Sequence, residues 1–364
     1  MNFEKILKKY QIIVNKKLKK FFDSVEIPES DNFLVKEEIK ILKNFCLSPG
    51  KRIRPIMAIM AFKGIAGKDE KKFILPFLSI EIFHNYTLIH DDIYDEDVVR
   101  RGEPTPHFLF SKLFEKRYKN AAEPGLFFKN NKTRFGAITG FINGEIVKSL
   151  SNFIIIEDKN IDKNKKFEIL KLFQKLDMLI NVGQAMDLFF EKEERITEKD
   201  YIKMAGHKTG ALFKAPVELG AILAGATKNQ ITCLKNYANN LAIAFQIKDD
   251  LLDISIGGEK GRGIGSDIKQ GKKTLLLIYA LRKANKSQKK LIEKIIRNEN
   301  LSKEEIREII DLYNKLGAVN YCWKVSERKI KEALFWLNKV SPQLKPSSYD
   351  FFAKLANFVI SRGK

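Results

Sequence analysis

Apolar residues recur every three to four positions along nearly the whole chain, and this spacing restricts the fold more than any other feature. It is the pattern of helices that each bury one face. It predicts helices over Phe3 to Phe22, Phe73 to His90, Phe167 to Glu191, Gly210 to Gly225, Ile231 to Leu252 and Lys303 to Leu316. Alternating strands joined by hairpin turns are not evident. Turn residues punctuate the chain at Ser48-Pro49-Gly50, Gly102 to Pro106, Glu123-Pro124-Gly125, Gly257 to Gly271 and Pro342 to Pro346. No repeat with a period of about 20 to 50 residues is visible, which argues against a solenoid. The expectation is one all-α domain over residues 1–364. Within it, residues 108–134 carry seven basic and two acidic side chains and read as a surface insertion, partly helical.

Charge and cysteine usage narrow the function. Lys plus Arg exceed Asp plus Glu by 66 − 45 = 21. Such an excess suits an anionic partner: a phosphorylated substrate, an anionic membrane surface or nucleic acid. The basic residues are dispersed and no nucleic-acid recognition motif accompanies them, so nucleic acid is not expected. Cys46, Cys233 and Cys322 form no CxxC pair, and the four histidines form no HExxH. A disulfide framework and a cysteine zinc site are therefore not expected. No apolar run reaches the roughly 18 residues of a membrane span, and the N-terminus lacks a secretory core. The cytoplasm is the expected compartment.

Two acidic triplets carry the chemistry. Asp91, Asp92 and Asp95 stand as DDIYD, and Asp249, Asp250 and Asp253 repeat the spacing as DDLLD. On a helix, positions four apart share a face, so each triplet stacks carboxylates one turn apart. That repulsion calls for an offsetting cation. Magnesium fits, because it binds through one or two carboxylates and leaves places for phosphate oxygens. A lone triplet of this kind is more often a solvated helix end. Here it is followed by Arg100 and Arg101, whose guanidinium groups suit phosphate oxygens, and by Pro104 and Pro106, expected to stop the helix. Upstream, Lys51 and Arg54 stand at a helix start, which itself favours anions.

The second triplet lies in a markedly apolar helix, LAIAFQIKDDLLDI. Unpaired carboxylates buried there would be costly, so cations or basic groups should face them. The glycine-rich loop that follows offers Arg262, Lys269, Lys272 and Lys273, and Lys208-Thr209 adds another phosphate contact. Metal ions and basic groups acting on a diphosphate would make it a leaving group and generate an allylic cation for an alkene to attack.

The stretches GKRIRP, HNYTLIHDDIYDEDVVRRGEPT, GQAMDL, GHKTGALF, AFQIKDDLLDI and GSDIKQGKKT run in order from residue 50 to 274. In them the chain resembles the trans-polyprenyl diphosphate synthase family, particularly archaeal-type geranylgeranyl diphosphate synthases. A weaker match, ALFWLNKV…FFAKLANFVISR, extends the likeness towards the C-terminus. The resemblance implies an all-α isoprenoid synthase fold, helices around a deep central cavity, and a homodimer. It implies magnesium, three ions per active site with manganese as a substitute, held directly by Asp91, Asp95 and Asp249. Asp92, Asp250 and Asp253 would stand beside the metals or act through water. Arg100, Lys208, Thr209, Gln246 and Lys272 would hold the allylic diphosphate, and Lys51, Arg54, His84 and Arg101 the isopentenyl diphosphate. Gln184 and Asp187 fall in a family motif near the metals. Arg262 replaces a lysine common in the family loop, and Gly144-Glu145 replaces the usual Gly-Asp.

Product length follows from the same resemblance, which assigns the floor of the cavity to residues four and five before the first aspartate, Thr87 and Tyr86. Helix geometry alone would choose Thr87, directly one turn below Asp91. One aromatic beside a small residue resembles the type that stops at twenty carbons. Geranylgeranyl diphosphate is the expected product and farnesyl diphosphate the alternative. Rival readings are a terpene cyclase, which would not need the second diphosphate site, and a non-catalytic regulatory subunit, which would not need both intact triplets.

Overall fold

The N-terminal helix shows how this chain builds its core: Phe3, Ile6, Tyr10, Val14, Leu18 and Phe22 form one buried stripe while the lysines between them face outward. The same logic recurs throughout the computed structural model, which describes residues 3–29, 31–32, 35–118, 123–124, 127–255, 264–296 and 301–361. The described residues are almost wholly helical, as the periodicity predicts. The chain divides into two compact units, one of Met1–Ile59 and Asp69–Leu170 and the other of Met60–Lys68 and Lys171–Lys364.

The first unit contains α1 (Phe3–Ser24), α2 (Lys36–Leu47), the start of α3 (Ile53–Ala66), a 3-10 turn at Glu70–Phe73, α4 (Ile74–Tyr94), β1 (Val99–Arg100), β2 (Glu103–Pro104), α5 (Pro106–Arg117) and α6 (Asn131–Glu157). Helix α4 is buried nearly all round, from Ile74 to Asp92, which explains its scarcity of charge. It packs on α6 across a glycine seam. A Cβ on Gly140 would stand 2.7 Å from Ile93 Cδ1, and one on Gly144 would stand 2.2 Å from His90 Nε2. Gly136 does the same for α5, where a Cβ would meet the His107 carbonyl oxygen at 2.5 Å.

Two expectations change here. Helix α4 ends at Tyr94, before either proline, and β1 and β2 form a small antiparallel hairpin. Its turn residues, Arg101 at φ 55° and Gly102 at φ 81°, both take the positive φ of a type I′ turn. Pro106 starts α5 at the first helical position, where a missing N–H costs nothing. The segment read as an insertion is only partly a surface excursion, because α5 buries Phe110 and Leu113 and residues 131–134 open α6.

Helix α7 (Lys163–Lys192) leads into the second unit, which contains α8 (Glu198–Ala224), α9 (Lys228–Asp253), α10 (Ser266–Lys269), α11 (Leu275–Lys283), α12 (Lys286–Ile296), α13 (Lys303–Lys315), α14 (Ala318–Asn338) and α15 (Pro346–Ser361). Reciprocal capping boxes open α8 at Thr197/Asp200, α9 at Thr227/Gln230 and α13 at Ser302/Glu305. Helix α8 starts well before the expected Gly210: a Thr197/Asp200 capping box opens it, and Tyr201, Met204 and Ala205 form a short buried stripe among charged neighbours. Helix α9 is packed between α8 and α14 and carries the second acidic triplet at its C-terminal end.

Candidate active site

In the first unit, the aspartates stand at the C-terminal end of α4, where the helix dipole is negative and repels them. Asp95 is the C-cap, its backbone N–H donating to the Asp91 carbonyl. Asp92 is fully buried, while Asp91 and Asp95 are half-buried. The hairpin supplies the compensation. Arg100 on β1 reaches back to make a short contact with Asp92, and its guanidinium lies 3.6 Å from Asp91 and 3.7 Å from Asp97. Desolvation pulls the Arg100 pKa down, but Asp92 and Asp91 outweigh it and the net shift is upward.

The turn residue Arg101 points elsewhere. It donates to Ser48 Oγ at 3.3 Å and to the Pro49 carbonyl at 3.2 Å, which places it against the Gly50 turn. A single tight hairpin thus sends Arg100 to the aspartates and Arg101 to the Lys51/Arg54 motif. Arg54 lies in the first turn of α3 and Lys51 is exposed just before it. His84 is buried about two turns below Asp91. Burial first, then the charges of Arg54, Arg101, Arg100 and Arg52, hold its pKa well below the ordinary 6.5, so it is neutral at pH 7. The first unit therefore sets Arg100 on the first triplet and groups Arg54, Arg101 and His84 near one another, with Lys51 at the start of the same motif.

Arg52 was not anticipated as a site residue. Its backbone takes φ 52°, and its guanidinium donates to Glu81 at 2.7 Å, Asn15 at 2.8 Å and the Ser48 carbonyl at 2.5 Å. Gln11 of α1 donates to the Gly50 carbonyl at 2.7 Å. These bonds hold the turn that carries Lys51 and Arg54. The signal in the sequence was Glu81, a carboxylate in the otherwise apolar start of α4.

The two floor candidates differ in setting. Tyr86 is buried, edge-on to Phe83 and His90 at 5.2 and 4.7 Å between ring centroids. Thr87 is half-buried and donates to the His84 carbonyl at 2.8 Å.

In the second unit, α7 and α8 cross so closely that a Cβ on Gly183 would stand 2.4 Å from the Lys208 backbone nitrogen. That crossing places Lys208 Nζ 2.7 Å from Asp187, and Lys272 lies 3.4 Å from Asp187 and 2.9 Å from Glu191. Gln184 is buried on the same helix. Thr209 donates to Gln246 Oε1 at 2.6 Å, Gln246 donates to Asp250 Oδ1 at 3.0 Å, and Tyr201 donates to Asp250 Oδ2 at 2.6 Å. Burial and then Asp250 push the Tyr201 phenol well above its ordinary pKa, so it stays a donor. Tyr201, Glu191 and Ser266 carried no signal that sequence reasoning could use.

The three aspartates of α9 are not equivalent. Asp249 is half-buried. Asp250 is buried and engaged by Tyr201 and Gln246. Asp253 is buried, makes a short contact with Ser266 Oγ, and accepts from the Asp267 backbone N–H at 3.0 Å. It thereby holds the start of α10. Arg262 lies outside the described residues.

Asp91 and Asp95 in the first unit and Asp249 in the second offer carboxylate oxygens of the kind a hard cation takes, and no cluster of three Asp, Glu, His or Cys side chains that could hold a metal exists among the described residues. Magnesium binds through one or two carboxylates when water and substrate phosphates complete its shell.

Comparison with known proteins gives the family. The family model for polyprenyl synthetase matches residues 36–313. The chain is 35% identical over 273 residues to the short chain isoprenyl diphosphate synthase of Methanocaldococcus jannaschii, with 74% of either chain covered. It is 31% identical over 323 residues to the geranylgeranyl diphosphate synthase of Sulfolobus acidocaldarius, covering 87% of this chain and 88% of that one. The crystal structure of geranylgeranyl pyrophosphate synthetase from Pyrococcus horikoshii shares the fold with a TM-score of 0.79 at 29% identity, covering 99% of this chain and 98% of that one. Motifs, fold and relatives converge: the chain belongs to the polyprenyl synthetase family.

Proposed function

We propose that this protein is a short-chain trans-prenyl diphosphate synthase that joins isopentenyl diphosphate to allylic diphosphates, with geranylgeranyl diphosphate as its main product. The observation that carries the reading is the hairpin of the first unit, which sends Arg100 to the acidic triplet and Arg101 to a second basic cluster. One cluster serves a leaving diphosphate. The other serves a diphosphate that is retained, which a cyclase would not require.

In this reading Asp91, Asp95 and Asp249 hold magnesium, three ions per active site with manganese as a substitute. Bound magnesium withdraws charge from the allylic diphosphate and makes it a better leaving group. Arg100, Lys208, Thr209, Gln246 and Lys272 orient that diphosphate, with Arg262 beside them. Asp187 and Glu191 hold the two lysines until phosphate oxygens take over those contacts. Asp92, Asp250 and Asp253 position neighbours: Arg100 for the first, Gln246 for the second and the start of α10 for the third. Lys51, Arg54, His84 and Arg101 hold isopentenyl diphosphate, and neutral His84 contributes a hydrogen bond without added charge. The C1–O bond of the allylic diphosphate breaks to leave an allylic cation, the isopentenyl double bond attacks its C1, and the proton released from the new chain goes to the departed diphosphate. Tyr86, with Thr87 beside it, sets the floor for the growing tail.

We further propose one synthase domain over residues 1–364, acting as a homodimer in the cytoplasm. Exposed Ile142, Phe153 and Ile156 on α6 support a partner surface. No helix among the described residues is long and apolar enough to cross a membrane. Peripheral contact with anionic lipid is consistent with the net charge of +21.

The test is incorporation of labelled isopentenyl diphosphate with five-, ten- and fifteen-carbon allylic starters in magnesium, products being resolved by length. The expected result is a twenty-carbon product, abolished by chelator and by Asp91→Ala. Calorimetry with magnesium and a non-hydrolysable diphosphate should show binding lost in the same variant. No incorporation from any starter would favour a regulatory subunit. A fifteen-carbon end product would favour the farnesyl alternative.

A further inference from the structure

The seam between α4 and α6 has a repeating register. Gly140 receives Ile93, and Gly144 receives His90. One further step of four residues along α6 arrives at Lys148, and there the α4 residue is Tyr86, with Lys148 Nζ 5.1 Å from the centre of its ring. Two steps of this seam carry no side chain at all. The third carries a long stem with an ammonium at its tip, and it meets the residue read as the floor of the product tail.

We infer that Lys148 is a second chain-length residue, which holds the Tyr86 ring in place from α6. The inference rests on the reading of Tyr86 as that floor. Contacts from two helices meet the ring. Phe83 and His90 meet it edge to face at 5.2 and 4.7 Å, and Lys148 covers a face through a cation–π contact. The first two lie on the same helix as Tyr86 and move with it. Lys148 comes from a different helix, so it resists a rotation of the ring that the helix itself would allow. Glu145 fixes the lysine in turn, with Oε2 2.5 Å from Nζ. A hydrocarbon tail that pushed past the ring would have to displace the Lys148 stem and give up its cation–π contact. Glu145 is also where the chain departs from the Gly-Asp usual in the family, and the longer side chain supplies the reach to Lys148 on the next turn.

Product-length distributions of Lys148→Ala, Lys148→Met, Lys148→Arg, Tyr86→Ala and the Lys148→Ala/Tyr86→Ala double variant test this. Lys148→Ala should raise the ratio of products longer than twenty carbons to the twenty-carbon product by roughly threefold to tenfold. Total incorporation and melting temperature should stay near those of the parent. Lys148→Met, which keeps the stem and loses the charge, should lengthen the product as well, and Lys148→Arg should retain the parent distribution. The double variant should match Tyr86→Ala alone, since Lys148 acts through the ring. An unchanged ratio in Lys148→Ala and Lys148→Met, with a longer product from Tyr86→Ala, would overturn the role of Lys148 and leave the Tyr86 floor standing. An unchanged ratio in all variants would overturn both.

Discussion

Gly144 and His90 share one volume of the seam between α4 and α6: a Cβ on residue 144 would stand 2.2 Å from the imidazole Nε2. The same nitrogen lies 3.1 Å from the Phe141 carbonyl, so the ring cannot retreat without giving up that contact. The glycine is therefore a requirement of packing, not of backbone conformation.

Gly144→Ala should destabilise the fold. Overpacking costs about 1–3 kcal/mol, and the better helix propensity of alanine returns about 1 kcal/mol. Urea unfolding should show a net loss of up to about 2 kcal/mol. Gly206→Ala is the contrast. The nearest atom to its Cβ would be Asn239 Oδ1 at 3.5 Å, an ordinary contact, so this variant should be neutral or slightly stabilised.

Arg52 and Glu81 form an ion pair with side chains only 1% and 3% exposed. Arg52→Met would leave Glu81 buried without its main partner and should cost about 3–5 kcal/mol in thermal or denaturant unfolding. Adding Glu81→Leu should recover much of that stability. It should not recover the KM for isopentenyl diphosphate, because the turn carrying Lys51 and Arg54 would still lack the bonds Arg52 makes to Asn15 and Ser48.

Asp253 and Asp249 should separate kinetically despite their shared motif. Asp253→Ala frees the start of α10 and should raise the KM for the allylic diphosphate roughly tenfold, the cost of losing buried hydrogen bonds. The magnesium concentration for half-maximal rate should not move. Ser266→Ala should reproduce a smaller version of the same effect. Asp249→Ala should instead shift the magnesium dependence. A shifted magnesium dependence in Asp253→Ala would place that carboxylate on the metal.

His107 should give the protein an acid-sensitive step. Burial lowers its pKa from the ordinary 6.5 to about 4. Between those values the unfolded chain binds a proton that the folded chain does not, so stability rises with pH across the window. The contribution is complete above about pH 6.5 and is lost as pH falls through about 4, amounting to at most about 3 kcal/mol and less where solvent reaches the ring. His107→Gln should flatten unfolding curves measured from pH 7 to pH 4.

Much of this was legible because the signals were local. The stripe of α1 and the aspartates at four-residue spacing follow from helix period alone, and a residue at i+4 needs no tertiary information to be placed. The first turns of α8 escaped because their buried stripe, Tyr201, Met204 and Ala205, is short and set among charged residues. The hairpin after α4 escaped because two-residue strands have no period to detect. Glu191, Tyr201 and Ser266 escaped for another reason: each is an ordinary side chain whose role depends on a partner distant in the chain.

The sequence by itself determined the helical class, the two acidic triplets, the basic residues around them and the family resemblance, since each depends on residue type and short-range spacing. Tertiary structure alone decided which carboxylates are engaged and by whom. It turned Arg100 and Arg101 in different directions from one tight turn, set Asp253 to holding a loop while Asp249 stays half-buried, and brought Lys148 over Tyr86. Those outcomes depend on close approach between separate helices, and a chain records such approach only as a glycine or a charge whose meaning appears when its neighbour arrives.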